Sequence, residues 1–185
     1  MTVNMSYKTN LPSKDECYLF FKELNIPFNI ISHMETVNKI ANYLSSSLVK
    51  KGENVNIELV DRASLVHDIG KWQEIQGGIS HYEFGYNFLL NKGYPELASL
   101  VRYHGVEIIF KKLNLSCWEQ KIMTYSDSRA YGSEILPFKR RLELTAIRYP
   151  EISHIFLNDI VNVLTKLEEE FIKYLDNSLY QIENL

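Results

Sequence analysis

The stretch that decides how this chain is read runs from Ile57 to Lys71: Ile57-Glu58-Leu59-Val60-Asp61-Arg62-Ala63-Ser64-Leu65-Val66-His67-Asp68-Ile69-Gly70-Lys71. Leu59, Ala63 and Val66 recur at three- and four-residue intervals. That spacing predicts a helix from about Ile57 to Asp68, with Gly70 as its stop. The end of this helix carries His67 and Asp68 side by side. A neutral imidazole nitrogen next to a hard carboxylate oxygen suits Mn, Fe, Co, Ni or Zn, with Mg also accommodated, rather than Ca alone.

The same helical period continues on both sides. Ser13, Ser80 and Ser116 each stand three residues before a glutamate, the spacing of a capping box. Ile31, Val37, Ile40, Ala41, Leu44 and Leu48 form a second stripe that ends near Gly52. Tyr86, Leu89 and Leu90 form another, closed by Gly93, and Pro95 is placed as the first residue of the next helix. Further helices are expected around Asp127, from about Pro137 to Arg148, and from about Ile152 to Leu175, the last two separated by Pro150. No long strand alternation, repeat or low-complexity tract appears. The expectation is a loose N-terminus over residues 1–12 and a single all-α domain of seven to nine helices over 13–185. The Gly77-Gly78 segment is expected to be a mobile loop beside the site.

Around the His67-Asp68 pair, other potential ligands fall on separate helices. His33, His67, Asp68 and Asp127 are the expected metal ligands. His81 and His104 would hold either a second cation, bridged by Asp68, or the substrate phosphate. Of the five histidines only His154 falls outside this set and is read as structural. Lys71 would reach a phosphate as a point charge, and Arg129 and the Lys139-Arg140-Arg141 run are further cationic candidates. A pair of cations bridged by one carboxylate suits in-line attack of water on phosphorus. Asp68 and Lys71 are therefore the expected catalytic residues. Trp72, Tyr82 and Tyr103 flank the ligands, and packing is their expected use ahead of stacking on a base.

Composition narrows the classes. With 20 basic and 23 acidic residues the chain has a formal charge of −3, without the basic excess of a nucleic-acid coat protein. Nothing resembles a secretory signal or a membrane span. Cys17 and Cys117 lie far apart with no CxxC partner and are read as buried small hydrophobes in a reduced, cytoplasmic protein.

The order His33, His67-Asp68, Asp127 resembles the HD superfamily of metal-dependent phosphohydrolases, and His67-Asp68-Ile69-Gly70-Lys71 resembles its HDIG subset. The likeness runs from about Ile31 to Pro150. It takes in Ser80-His81-Tyr82-Glu83-Phe84-Gly85, Val101-Arg102-Tyr103-His104, and Lys121 to Arg129 around the last ligand. Arg148-Tyr149-Pro150 is similar to a small, mostly uncharacterised stand-alone group. The resemblance implies an all-α core, one or two divalent cations, and water attack on a phosphomonoester or phosphodiester.

Asn29 stands where the related cyclic-dinucleotide phosphodiesterases carry glutamate, His104-Gly105 where they carry paired histidines, and their GYP motif is missing. These departures argue against both a full multinuclear site and cyclic-dinucleotide cleavage. Glu74 and Glu83 are candidate stand-ins for an acid/base carboxylate. The expected substrate is a small phosphorylated molecule, a nucleotide first, with no membrane partner and with nucleic acid a lesser alternative. The rival readings are an RNA-processing phosphodiesterase, supported only by Lys139-Arg140-Arg141 and Arg148, and a non-catalytic metal- and nucleotide-binding module.

Overall fold

A computed structural model describes residues 10–104, 115–148, 154–175 and 180–185. The chain is all-α. In order, the helices are α1 (Lys14–Glu23), α2 (Phe28–Lys50), α3 (Ile57–Val66), α4 (Lys71–Ile75), α5 (His81–Asn91), α6 (Pro95–Arg102) and α7 (Trp118–Arg129). After β1 (Ala130–Tyr131) and β2 (Glu134–Ile135) come α8 (Phe138–Arg148), α9 (His154–Ile172) and α10 (Tyr180–Glu183). The two strands form a short antiparallel ladder that pairs Ala130 with Ile135 and Tyr131 with Glu134. No helix among the described residues is long and apolar enough to cross a membrane. Pro150 and Ile152, the expected start of the last long helix, lie outside the described residues.

Helix α2 is the central element. It has no side-chain cap at its N-terminus, a lack that costs about 1 kcal/mol. Its stripe of Met34, Val37, Ile40, Leu44 and Leu48 is fully buried. Each such side chain contributes about 1.5–3 kcal/mol on burial, so packing outweighs the missing cap. Leu44 and Leu48 join Ile122 and Tyr125 of α7 and Leu164 and Phe171 of α9 in one apolar cluster. Met34 joins Phe21 of α1, Val66 of α3 and Val101 of α6 in a second. His33 lies one residue before Met34, and Asp127 two residues after Tyr125, so both stand on buried, well-anchored helices.

The predicted capping boxes have different outcomes. Ser13 and Glu16 make both reciprocal bonds, at 3.2 and 2.7 Å. Ser80 does begin α5, but its side chain makes no cap hydrogen bond, and the Glu83 carboxylate accepts from the Arg102 guanidinium at 2.7 Å. Cys117 rather than Ser116 is the residue that begins α7, and Glu119 accepts from the Asn56 backbone N–H at 2.8 Å. Cys17 is buried as expected, whereas Cys117 is exposed at its helix end.

Candidate metal centre

Helix α3 ends at Val66, two residues earlier than its apolar period predicts, and residues His67–Gly70 form tight turns that lead into α4. Four consecutive residues then face four different surroundings. His67 is fully buried, Asp68 lines a cavity, Ile69 is buried in the apolar cluster, and Gly70 abuts the first turn of α5. A Cβ at Gly70 would stand 2.5 Å from the His81 carbonyl oxygen. Glycine is therefore required for His81 to approach the His67-Asp68 turn this closely.

The donors converge as their order in the sequence predicts. Asp68 divides its two oxygens between two groups of histidines. Its Oδ2 is 3.9 Å from Nε2 of both His33 and His67. Its Oδ1 is 3.4 Å from His81 Nε2 and 3.5 Å from His104 Nε2. Asp127 joins the first group, with Oδ1 3.1 Å from His33 Nε2 and 3.8 Å from His67 Nε2. His33, His67 and Asp68 form one cluster with the spacing of a metal site, and Asp68, His81 and His104 form another.

The electrostatics fit a cation. Burial pushes the His67 imidazole down to about 4, although Asp68 opposes the shift. His67 Nδ1 donates to the Ser64 carbonyl at 2.9 Å. Its Nε2 is buried without a hydrogen-bond partner, so a lone pair faces the carboxylates of Asp68 and Asp127. An orphaned buried acceptor costs about 1–3 kcal/mol, and a cation between these groups relieves it. Burial would raise the Asp68 carboxyl, but His67, His104 and His81 hold it well below the usual range. Burial works against a proton on His33, yet its bond to Asp127 leaves its pKa raised. His104 Nδ1 donates to the Val101 carbonyl, which also turns Nε2 toward Asp68.

The cavity in front of these donors has a volume of about 810 Å3, within the range of small-molecule sites. Lys71 and Glu74 line it and are joined at 2.9 Å, and Glu74 also accepts from His81 Nδ1 at 2.8 Å. Tyr82 forms part of its wall, its ring 4.7 Å from that of His104.

Several expectations are corrected here. Arg129, expected at the phosphate, is fully buried and donates to the Leu136 carbonyl and to the Tyr125 hydroxyl at 2.7 Å. It stands two residues after Asp127, and positions two apart on a helix face different sides. Of the basic run, Arg141 alone lines the cavity, whereas Lys139 and Arg140 are exposed on the helix surface. Glu83 is tied to Arg102 and does not line the cavity. Trp72, by contrast, packs against the apolar cluster as expected. Tyr103 lies beside the Arg102 guanidinium. Gly77 and Gly78 line a smaller cleft with Leu24 and Phe84 instead of the ligand cavity. The side chain of His154 lies outside the described residues.

Five residues line the cavity without having been singled out: Ile30, Ile75, Tyr131, Gly132 and Thr145. The signal for Thr145 was its register, four residues after Arg141 and three before Arg148 on one helix.

Residues 30–144 match the HD domain family. An uncharacterised protein of Methanocaldococcus jannaschii is 30% identical over 158 residues, covering 75% of this chain and 90% of that protein. No solved structure gives a significant match. Because the family match spans more than half of its length, the chain belongs to the HD domain family, a family of metal-dependent phosphohydrolases.

Proposed function

We propose that this chain hydrolyses the phosphoester of a small phosphorylated substrate, a nucleotide in the first instance, with His33, His67, Asp68 and Asp127 holding a divalent cation. The observation that carries this reading is the orphaned Nε2 of His67, buried and turned toward two carboxylates. His81 and His104 would hold a second cation on the far oxygen of Asp68, or else contact the phosphate itself. When bound, such cations polarise phosphoryl oxygens and lower the pKa of water.

The chain's own residues supply the rest. Asp68 lies between the two donor groups and is placed to accept a hydrogen bond from the attacking water. Lys71, fixed by Glu74 at the cavity wall, offsets negative charge on the phosphoryl oxygens. Tyr82 and Tyr131 line the cavity and would be the aromatic contacts for a base.

Phosphate release from a panel of nucleotides and bis-p-nitrophenyl phosphate, with Mn, Fe, Co or Mg, tests the reading. Metal-dependent turnover by the wild type, lost in Asp68→Ala with the helical circular-dichroism spectrum unchanged, is the expected result. Equal turnover in Asp68→Ala would overturn it. Metal-dependent ligand binding without turnover would favour the binding module instead.

A further inference from the structure

Arg141 lines the cavity from α8, together with Thr145 one turn further on. Residues four apart share one face of a helix, and these two side chains hold each other. The Thr145 hydroxyl donates its proton to the Arg141 carbonyl at 2.9 Å. Its oxygen keeps its lone pairs, and it accepts from Arg141 Nη1. Arg141 Nε donates to the Ala130 carbonyl at 2.7 Å, and the guanidinium lies 5.7 Å from the Tyr131 ring centre.

These bonds fix the guanidinium beside the donor cluster. The Ala130 N–H donates in turn to the carbonyl of Asp127. A chain of two hydrogen bonds thus runs from Arg141 to the backbone of a candidate ligand.

The charge of the partners is what sets Arg141 apart. Arg140, the residue before it, is paired with the Glu143 carboxylate at 2.9 Å. Arg129, which is fully buried, stands 3.6 Å from the Glu168 carboxylate. The partners of Arg141 among the described residues are a carbonyl, a hydroxyl and a ring, all of them neutral. They hold the side chain in place without cancelling its charge. Two of them take only part of the donor fork, and parallel N–H groups of a guanidinium match a phosphate. Asp68 and Asp127, in the same cavity, are the rival claim on that charge. A divalent cation bound among the donors neutralises both, and Arg141 is then left to face an entering anion.

We infer that the Arg141 guanidinium binds the phosphoryl oxygens of the substrate, and that Thr145 is the positioning residue that orients it. The inference rests on the phosphohydrolase reading and adds to it the side chain that grips the phosphate.

The test reads anion and cation binding separately. Methylphosphonate, a phosphate analogue with no ester to cleave, is titrated into the manganese-loaded protein, and manganese into the metal-free protein. Wild type, Arg141→Gln, Thr145→Val and the double variant are compared by calorimetry. Methylphosphonate should bind Arg141→Gln at least about tenfold more weakly than the wild type, the loss expected of a charge-assisted contact. Manganese should bind that variant as tightly as the wild type or more tightly, because a repelling charge has been removed. Thr145→Val should lose a smaller part of the methylphosphonate affinity, and the double variant no more than Arg141→Gln, because Thr145 acts through Arg141.

Wild-type methylphosphonate affinity in Arg141→Gln, alongside metal-dependent turnover of bis-p-nitrophenyl phosphate by the wild type, would overturn this inference alone. Loss of methylphosphonate and manganese binding together would also overturn it, since Arg141 would then be a brace between α8 and the hairpin. Additive losses in the double variant would overturn the role of Thr145. A wild type with neither turnover nor manganese-dependent methylphosphonate binding would overturn the phosphohydrolase reading and this inference with it.

Discussion

Glu74 Oε2 accepts a hydrogen bond from His81 Nδ1 at 2.8 Å, and this bond decides which nitrogen of His81 faces Asp68. With the proton held on Nδ1, the Nε2 lone pair is available 3.4 Å from Asp68 Oδ1. A carboxylate that fixes a ligand's tautomer contributes about 10- to 100-fold to metal affinity. Glu74→Ala should therefore weaken cation binding by that factor, measured by calorimetric titration of manganese. An unchanged isotherm would show that His81 holds no cation and would leave it the phosphate contact.

Gly70 is predicted to tolerate no side chain. A Cβ there meets His81 backbone atoms at 2.5 and 2.9 Å, and backbone at the start of a helix cannot step aside as a flexible side chain does. Gly70→Ala should cost about 1–3 kcal/mol, as overpacked sites do, and should displace His81 from Asp68. Urea unfolding reads the first effect and cation titration the second. A variant of wild-type stability and affinity would contradict the close approach.

Asp61 governs acid stability away from the site. It is buried and accepts from Asn42 at 2.7 Å and Asn38 at 3.2 Å, with Lys14 at 2.9 Å and Arg62 alongside. Burial alone would raise its carboxyl, but these partners leave it below the ordinary value of 3.8. A depressed folded-state pKa stabilises fully above the unfolded value, and that stabilisation drains as pH falls through the folded one. Asp61→Asn should be less stable near neutrality by about 1–3 kcal/mol, since its donor partners lose their charged acceptor. It should also lose less on acidification below about pH 4. Parallel melting curves for the two proteins across that range would argue against it.

The helices and the gathering of the candidate ligands were legible in the sequence because both depend on spacing. The apolar stripe of α2 and the order of His33, His67-Asp68 and Asp127 need no knowledge of neighbouring elements. Arg129 was misplaced by reading nearness in sequence as nearness in space, although a two-residue offset already turns it to the far side of α7. Arg141 and Arg148 could have been paired by their register. Nothing in the sequence said which neighbour that face of α8 would meet. Glu83 and Glu119 have capping-box spacing, but partners distant in the chain, Arg102 and Asn56, took them instead. Cap motifs are local preferences that a tertiary partner can override.

His33 and Asp127 are in contact although 94 positions separate them. The unfolded chain holds no such cluster, so a cation that binds there binds the native state alone. Its affinity then appears as resistance to unfolding, about 2.7 kcal/mol at a concentration one hundred times the Kd. The melting temperature thus becomes a gauge of metal preference that requires no knowledge of the substrate, and chelation should lower it by the same linkage.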